Sequence, residues 1–144
     1  MHRYFAVECN NNAWELAERD ERTKEQEQEM ISLAEVASWH WSKVGTPINF
    51  ARADMLLGWV CCIVGWDGDA RAYTDRVHKQ LDAQPKGVGT WDTAFAALLE
   101  AYTRLAEGDR AAFESAVSEL DAPRSALDED DKKVFDSFHA RIRP

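Results

Sequence analysis

The segment from Trp39 to Arg52 constrains the fold of this chain most strongly, because it ends one helical pattern, turns within a few residues and begins another. Gly45, Thr46 and Pro47 stand at the turn. Glycine suits a left-handed helix C-cap, threonine an N-cap, and proline the first helical position, where its missing N–H is not needed. The segment therefore predicts two helices joined by a tight corner.

The helix that follows this corner lacks a polar face. Between Phe50 and Val64, apolar residues occupy every side of the predicted helix. A helix that is apolar all round is enclosed by its neighbours, so this one is predicted to be central. Gly58 in its middle lowers helix propensity, and the close approach of another helix would explain it. The apolar run from Met55 to Trp66 is shorter than the roughly 20 residues that span a bilayer, which predicts a soluble protein.

Helical periodicity and caps account for the rest of the chain. A first helix is predicted from about His2 to about Arg19, and Thr23 with Gln26 forms a capping-box pattern that starts a second. Four more helices follow the central one, separated by caps, glycines and prolines. The residues that open or stop them are Asp69, Pro85, Thr90, Gly108, Asp109, Pro123 and the acidic run Asp128 to Asp131.

Apolar stripes predict which side of each helix faces the core. The first stripe contains Phe5, Cys9 and Leu16, and the second runs from Met30 to Val44 through His40 and Trp41; the last contains Val134, Phe135, Phe138 and Ile142. No segment alternates as a strand does. The chain is therefore predicted to be all-α, an antiparallel helix-hairpin array of about seven helices.

Composition limits the class of protein. A chain of 144 residues fits a single domain, residues 1–144. Its net charge of −9, with no evident basic patch, argues against nucleic acid and membrane partners. Cys9 and the adjacent Cys61 and Cys62 form neither a disulfide framework nor a metal-ligand pair, which indicates a reducing cytoplasm and no cofactor or metal.

The chain contains an internal repeat. Gly68–Tyr73 and Gly108–Phe113 match closely at the same point of two successive helix pairs. In the first pair, small and apolar residues fall at the signature positions of a tetratricopeptide (TPR) unit; they are Leu57, Gly58, Cys61, Gly65 and Ala70. Residues 47 to 121 thus resemble a divergent TPR-like array, although Arg104 and Phe113 depart from the pattern. The resemblance implies a right-handed superhelix of helix hairpins.

A second resemblance covers most of the chain. Asn12, Trp14, Glu15 and Leu16, followed by the His40–Arg52 segment, are similar in spacing to a group of small bacterial TPR-like proteins that have no assigned activity. This resemblance implies a bacterial, cytoplasmic, all-helical protein. It brings no catalytic residues with it.

Polar residues around the corner form a candidate binding site. Asn49 and Arg52 share one face at the start of the central helix, shortly after His40. A guanidinium there must be paired or reach water, and its candidate partners are Glu15, Glu35, Asp54 and Asp92. With the tryptophans near helix ends, the candidate binding residues are Trp39, His40, Asn49, Arg52, Trp91 and Asp92. His40 also fits a core histidine whose nitrogens are hydrogen-bonded, while His2 and His78 are interpreted as surface residues.

Three hypotheses of function follow. The first is an interaction module that binds a peptide or protein segment in a groove near His40, Asn49 and Arg52. The second is a binder of small anions, or an enzyme, with His40 as acid or base and Arg52 holding the anion; no catalytic motif supports an enzyme. The third is a self-associating structural protein, for instance a homodimer.

Overall fold

The structure is a computed structural model that describes all 144 residues, and it contains eight helices and no strand. The helices are α1 (His2–Ala17), α2 (Lys24–Val44), α3 (Pro47–Val64), α4 (Asp67–Asp82), α5 (Thr90–Ala106), α6 (Arg110–Ser118), α7 (Asp121–Ser125) and α8 (Glu129–His139). Only α7, with five residues, is a short addition. The predicted all-α fold with about seven helices is confirmed.

Consecutive helices pair into hairpins that stack on one another. α1 packs on α2, α3 on α4, and α5 on α6. α3 also contacts α1, α2 and α5, so the first helices of the three hairpins lie side by side. The side chain of Phe138 in α8 contacts rings from all three of these helices. We call the surface of α1, α3 and α5 that α8 covers the inner face.

The helix after the corner is the centre of the core, as predicted. α3 buries 12 of its 18 residues. A Cβ on Gly58 would lie 3.2 Å from the Leu99 side chain and 3.3 Å from that of Thr74, which confirms that neighbouring helices approach closely there. By length and composition α3 is, contrary to expectation, long and apolar enough to cross a membrane, but 67% of it is buried inside the bundle. The mostly buried core helix of a soluble protein can have the same length and apolar composition.

Local capping explains most helix starts. In the capping box of α2, Gln26 N donates to Thr23 Oγ1 at 3.1 Å and Thr23 N donates to Gln26 Oε1 at 2.9 Å. Asp128 accepts a hydrogen bond from Asp131 N at the start of α8, as predicted for the acidic run. Asp69 does not cap α4, because that helix begins two residues earlier. Pro123 ends no helix either; it lies in the first turn of α7, where proline needs no hydrogen-bond donor.

Gly45 has a different role from the one predicted. Its backbone is extended, with φ −82° and ψ 177°, and not left-handed. A Cβ at this position would lie 2.7 Å from the carbonyl oxygen of Trp41 and 3.0 Å from Cβ of Asn49. The corner therefore needs glycine because the backbone of α2 and the start of α3 leave no room for a side chain.

Three residues predicted to face the core are exposed: Phe5 by 41%, Val44 by 40% and Val134 by 45%. The fully buried residues of α2 all lie between Met30 and Ala37, so the end of the helix projects beyond the core. Phe5 lies beside this projecting end, and Val134 is displaced to the flank of α8 by its neighbour Phe135, which is buried.

Candidate functional site

The six predicted binding residues occupy three separate places. Trp39 and His40 meet the first turn of α1, and Asn49 lies within the corner between α2 and α3. Arg52, Trp91 and Asp92 line one cleft on the inner face. His40 does not line this cleft, so the predicted cluster of His40, Asn49 and Arg52 is not a single site.

His40 ties α2 to α1. Its Nδ1 lies 2.9 Å from Nδ1 of His2, and its ring stacks on Phe5 with the ring centres 5.4 Å apart. Trp39 is 53% exposed, contacts His2 edge-on and carries the ammonium of Lys43 above its ring at 5.2 Å. His2 is thus half-buried in a contact, and not the isolated surface residue that was predicted.

Asn49 completes the start of α3. Its Oδ1 accepts hydrogen bonds from the backbone N of Thr46 at 3.0 Å and from Thr46 Oγ1 at 3.1 Å. These bonds satisfy groups that a helix start leaves without an intrahelical partner. The Asn49 side chain therefore stabilises the corner between α2 and α3.

Arg52 is held rigidly by a buried carboxylate. Its Nε and Nη2 donate to the two oxygens of Asp92 at 2.8 and 2.9 Å, and Asp92 also accepts from the backbone N of Gly89 at 2.9 Å. The hydrogen bond with Asp92 raises the pKa of Arg52. Among the four candidate partners Asp92 is the one that binds Arg52, while Asp54 binds Arg76 and Gln80.

The cleft beside this pair, which we call the aromatic cleft, lies between α1, α3, α5 and α8 and has a volume of about 340 Å³. Asn10, Glu18 and the Arg52–Asp92 pair supply its polar groups, and its apolar lining consists of Trp14, Met55, Trp91, Phe95 and Phe138. The Arg52 side chain is 48% exposed, and its Nη1 makes no hydrogen bond within the chain. The cleft thus offers an apolar wall with one fixed, accessible cationic edge.

A second cleft on the inner face was missed by the sequence analysis. Arg19, Arg22, Arg141 and Arg143 line it, and we call it the arginine cleft. The expectation that the chain has no basic patch is therefore wrong. These arginines lie at opposite ends of the sequence and meet only because α8 returns to α1, so no local pattern signals them.

Glu100 forms a structural cluster on the other side of α5. It accepts hydrogen bonds from Arg71, His78 and Arg104 at 2.9 to 3.0 Å. Burial raises the pKa of Glu100, but these three donors outweigh that effect and hold the pKa well below its usual range. His78 is thus a partner in the α4–α5 contact and not a free surface histidine. All the strong donors and acceptors of this cluster are paired, as in a structural ion network.

Cys61 and Cys62 are buried in the core, which disfavours their thiolate forms. Burial raises the pKa of both Cys61 and Cys62 to about 12, which keeps the thiols protonated. All three cysteines are free of disulfides. No group of three or more histidine, cysteine, aspartate or glutamate side chains is arranged to hold a metal ion.

No protein-family model matches the chain, and neither a curated protein nor a solved structure matches it. The resemblance to TPR-like proteins depends on motif spacing and helix order. The two clefts are therefore the features of the structure that bear on function.

Proposed function

We propose that this protein is a helical interaction module that binds a short peptide segment of a partner protein, with one apolar side chain of the peptide in the aromatic cleft. The observation that carries the proposal is the half-exposed guanidinium of Arg52, fixed by buried Asp92 at the edge of an aromatic wall. Aromatic residues and arginine are the types that dominate binding energy at protein interfaces.

The size of the cleft supports an anchoring role. Ligand pockets span about 300–1,000 Å³, and the aromatic cleft, at about 340 Å³, is at the lower end of that range. One large apolar side chain, such as Phe, Leu or Met, fits such a volume, while the rest of a peptide would lie on the exposed surface around the mouth of the aromatic cleft.

The charge at the rim selects the neighbouring residue of the peptide. Asp92 is committed to Arg52 and Gly89, so it is not available to a ligand. Nη1 of Arg52 is free to donate, and a carboxylate beside the apolar anchor would gain a charge-assisted hydrogen bond there. The preferred peptide therefore carries an acidic residue next to its apolar anchor.

The wider setting agrees with this proposal. Stacked hairpins in TPR-like arrays present binding surfaces for peptide segments, and three free cysteines suit a reducing cytoplasm. The enzyme hypothesis, which needed His40 and Arg52 together, is not carried forward, because His40 lies with His2 and Phe5 outside the cleft.

A selection from a random peptide library displayed on phage tests the proposal. The full chain is expected to enrich peptides with Phe, Leu or Met beside Asp or Glu. Asn10→Phe, which fills the cleft from its rim, should abolish binding of the enriched peptides, whereas Trp39→Ala, at the exposed end of α2, should leave affinity unchanged.

Thermal unfolding and light scattering of each variant establish that the fold and the oligomeric state are unaltered. Peptides that bind Asn10→Phe as tightly as the wild type, or that lose affinity only in Trp39→Ala, would contradict the proposal. Failure to enrich any peptide would contradict it as well.

A further inference from the structure

We propose that the arginine cleft is a separate binding site for a small molecule that carries a carboxylate or phosphate group on an apolar body. The cleft has a volume of about 380 Å³. It gathers guanidinium groups from the loop between α1 and α2 and from the C-terminal residues that follow α8. Arginine is the side chain best suited to bind such oxyanions through paired hydrogen bonds.

Arg22 has an unused binding edge. Its Nη1 donates to the carbonyl oxygens of Leu16 at 3.2 Å and of Arg19 at 2.6 Å, which fixes the guanidinium at the end of α1. Its Nη2 makes no hydrogen bond, and its Nε is buried without a partner. A buried donor without a partner costs free energy. A bound anion would contact Nη2 first, and a small shift of the guanidinium that brings Nε to the same anion would remove that cost.

The same edge binds carboxylates elsewhere in this chain. Nε and Nη2 of Arg52 hold Asp92 at 2.8 and 2.9 Å, and Nε and Nη2 of Arg124 hold Asp136 at 2.7 and 2.8 Å. No aspartate or glutamate lies within ion-pair distance of Arg22, so nothing in the chain fills this role there.

The carboxylates of the chain leave the cleft with an excess of positive charge. Asp20 lies 3.5 Å from Arg141 and is 98% exposed, and Glu15 lies 3.8 Å from Arg19. Arg143, like Arg22, has no acidic partner. Of the charged residues that line the cleft, four are cationic and one, Asp20, is anionic, which is opposite in sign to the net charge of −9 for the whole chain. Repulsion among like charges is relieved when an anion binds between them.

The floor of the cleft accounts for the apolar part of the ligand. Trp59 and Ile63 from α3 and Tyr102 from α5 line it. Burial raises the pKa of Tyr102 to about 12, so its hydroxyl stays protonated and can donate a hydrogen bond. An aromatic or aliphatic body would lie against these side chains with its charged group towards the arginines. A volume of about 380 Å³ accommodates a small molecule of this kind.

Titration of the full chain with three matched probes tests this site. Phenyl phosphate and benzoate carry the two candidate anions, and benzamide has the same ring without charge. We expect saturable calorimetric binding of at least one anionic probe, with a dissociation constant of about 1 mM or tighter. Benzamide should not bind. The ratio of the two anionic affinities shows whether the site prefers phosphate or carboxylate.

Two variants locate the binding. Arg141→Gln combined with Arg143→Gln alters only residues outside the helices, and it should weaken the anionic probe about tenfold. Arg22→Lys retains the charge but loses the paired donors, and it should weaken binding similarly. Arg110→Gln is the matched control: it removes one exposed arginine, paired with Glu114, and should change nothing. Asn10→Phe should also retain the probe, which separates this site from the aromatic cleft.

Circular dichroism and thermal unfolding show whether each variant is folded. If Arg22→Lys fails to fold, the double variant alone decides, since its residues lie outside the helices. Three results would overturn the proposal: no binding of either anion, equal binding of benzamide, or an equal loss of affinity in Arg110→Gln and in the double variant.

Discussion

Glu100 shows how much of the contact between α4 and α5 rests on one side chain. Arg71 alone donates to both of its oxygens, at 3.0 and 2.9 Å, and at the same time to Glu107. Because His78 and Arg104 add further donors, the carboxylate is strongly favoured in its ionised form. The cluster therefore links the ionisation of one residue to the stability of the fold.

Replacement of Glu100 by glutamine should reduce both the stability and its dependence on pH. The folded-state pKa of Glu100 lies below its unfolded value. Its contribution is therefore complete above about pH 4.3, the ordinary glutamate pKa, and is lost as the pH falls further. Urea unfolding at neutral pH should show a loss of about 1–3 kcal/mol in Glu100→Gln, and the difference from wild type should shrink at acidic pH.

Glu114→Gln is the control for this prediction, because Glu114 forms an exposed pair with Arg110. Its effect should be under about 1 kcal/mol and nearly independent of pH. A constant difference between wild type and Glu100→Gln across the acid range would show that the ionisation of Glu100 does not stabilise the fold.

At the scale of elements, the connections between helices divide into those set by local chemistry and those set by packing. The capping box at Thr23 and the caps at Asp109 and Asp128 depend on residues three apart, so they were predictable from the sequence. The role of Gly45 was not, because the atoms that exclude a side chain there come from the backbone of Trp41 and from Asn49. The sequence predicts the corner, but it does not show why the corner needs a glycine.

Gly45→Ala should destabilise the corner by about 1–3 kcal/mol. The new Cβ would lie 2.7 Å from a backbone oxygen, which cannot move without opening the turn between α2 and α3. Gly68→Ala in α4 is the matched control, since nothing lies within 4 Å of its Cβ position; it should be neutral or stabilising by up to about 1 kcal/mol. Midpoints of thermal unfolding compare the two. Equal midpoints for Gly45→Ala and Gly68→Ala would mean that the corner accommodates the new Cβ without a loss of stability.

At the scale of the whole molecule, α8 decides what the inner face offers to a ligand. Phe138 lines the aromatic cleft and contacts Trp59, which lines the arginine cleft, so it lies between the two sites. Periodicity predicted that Phe138 faces inward, but periodicity is local and does not state which helices receive it. For the same reason the Arg52–Asp92 pair was one of several possibilities, and the arginine cleft was not foreseen.

The closure of the bundle by α8 predicts energetic coupling between the two ends of the chain. The rings of Trp14 in α1 and Phe138 in α8 meet edge-on with their centres 5.4 Å apart, and both contact Phe95. Phe138→Leu and Trp14→Leu should each lower the free energy of unfolding.

The double variant should be less destabilised than the sum of the two single variants, with a coupling of about 0.5–1.5 kcal/mol, because the edge-on contact can be lost only once. A cycle of Trp14→Leu with Val117→Ala serves as the additive reference, because Val117 lies in α6, which does not pack on α1. Urea denaturation gives the free energy of unfolding of each variant, from which the coupling is calculated. Additive effects for Trp14 and Phe138 would mean that α8 packs on the inner face without being held by α1.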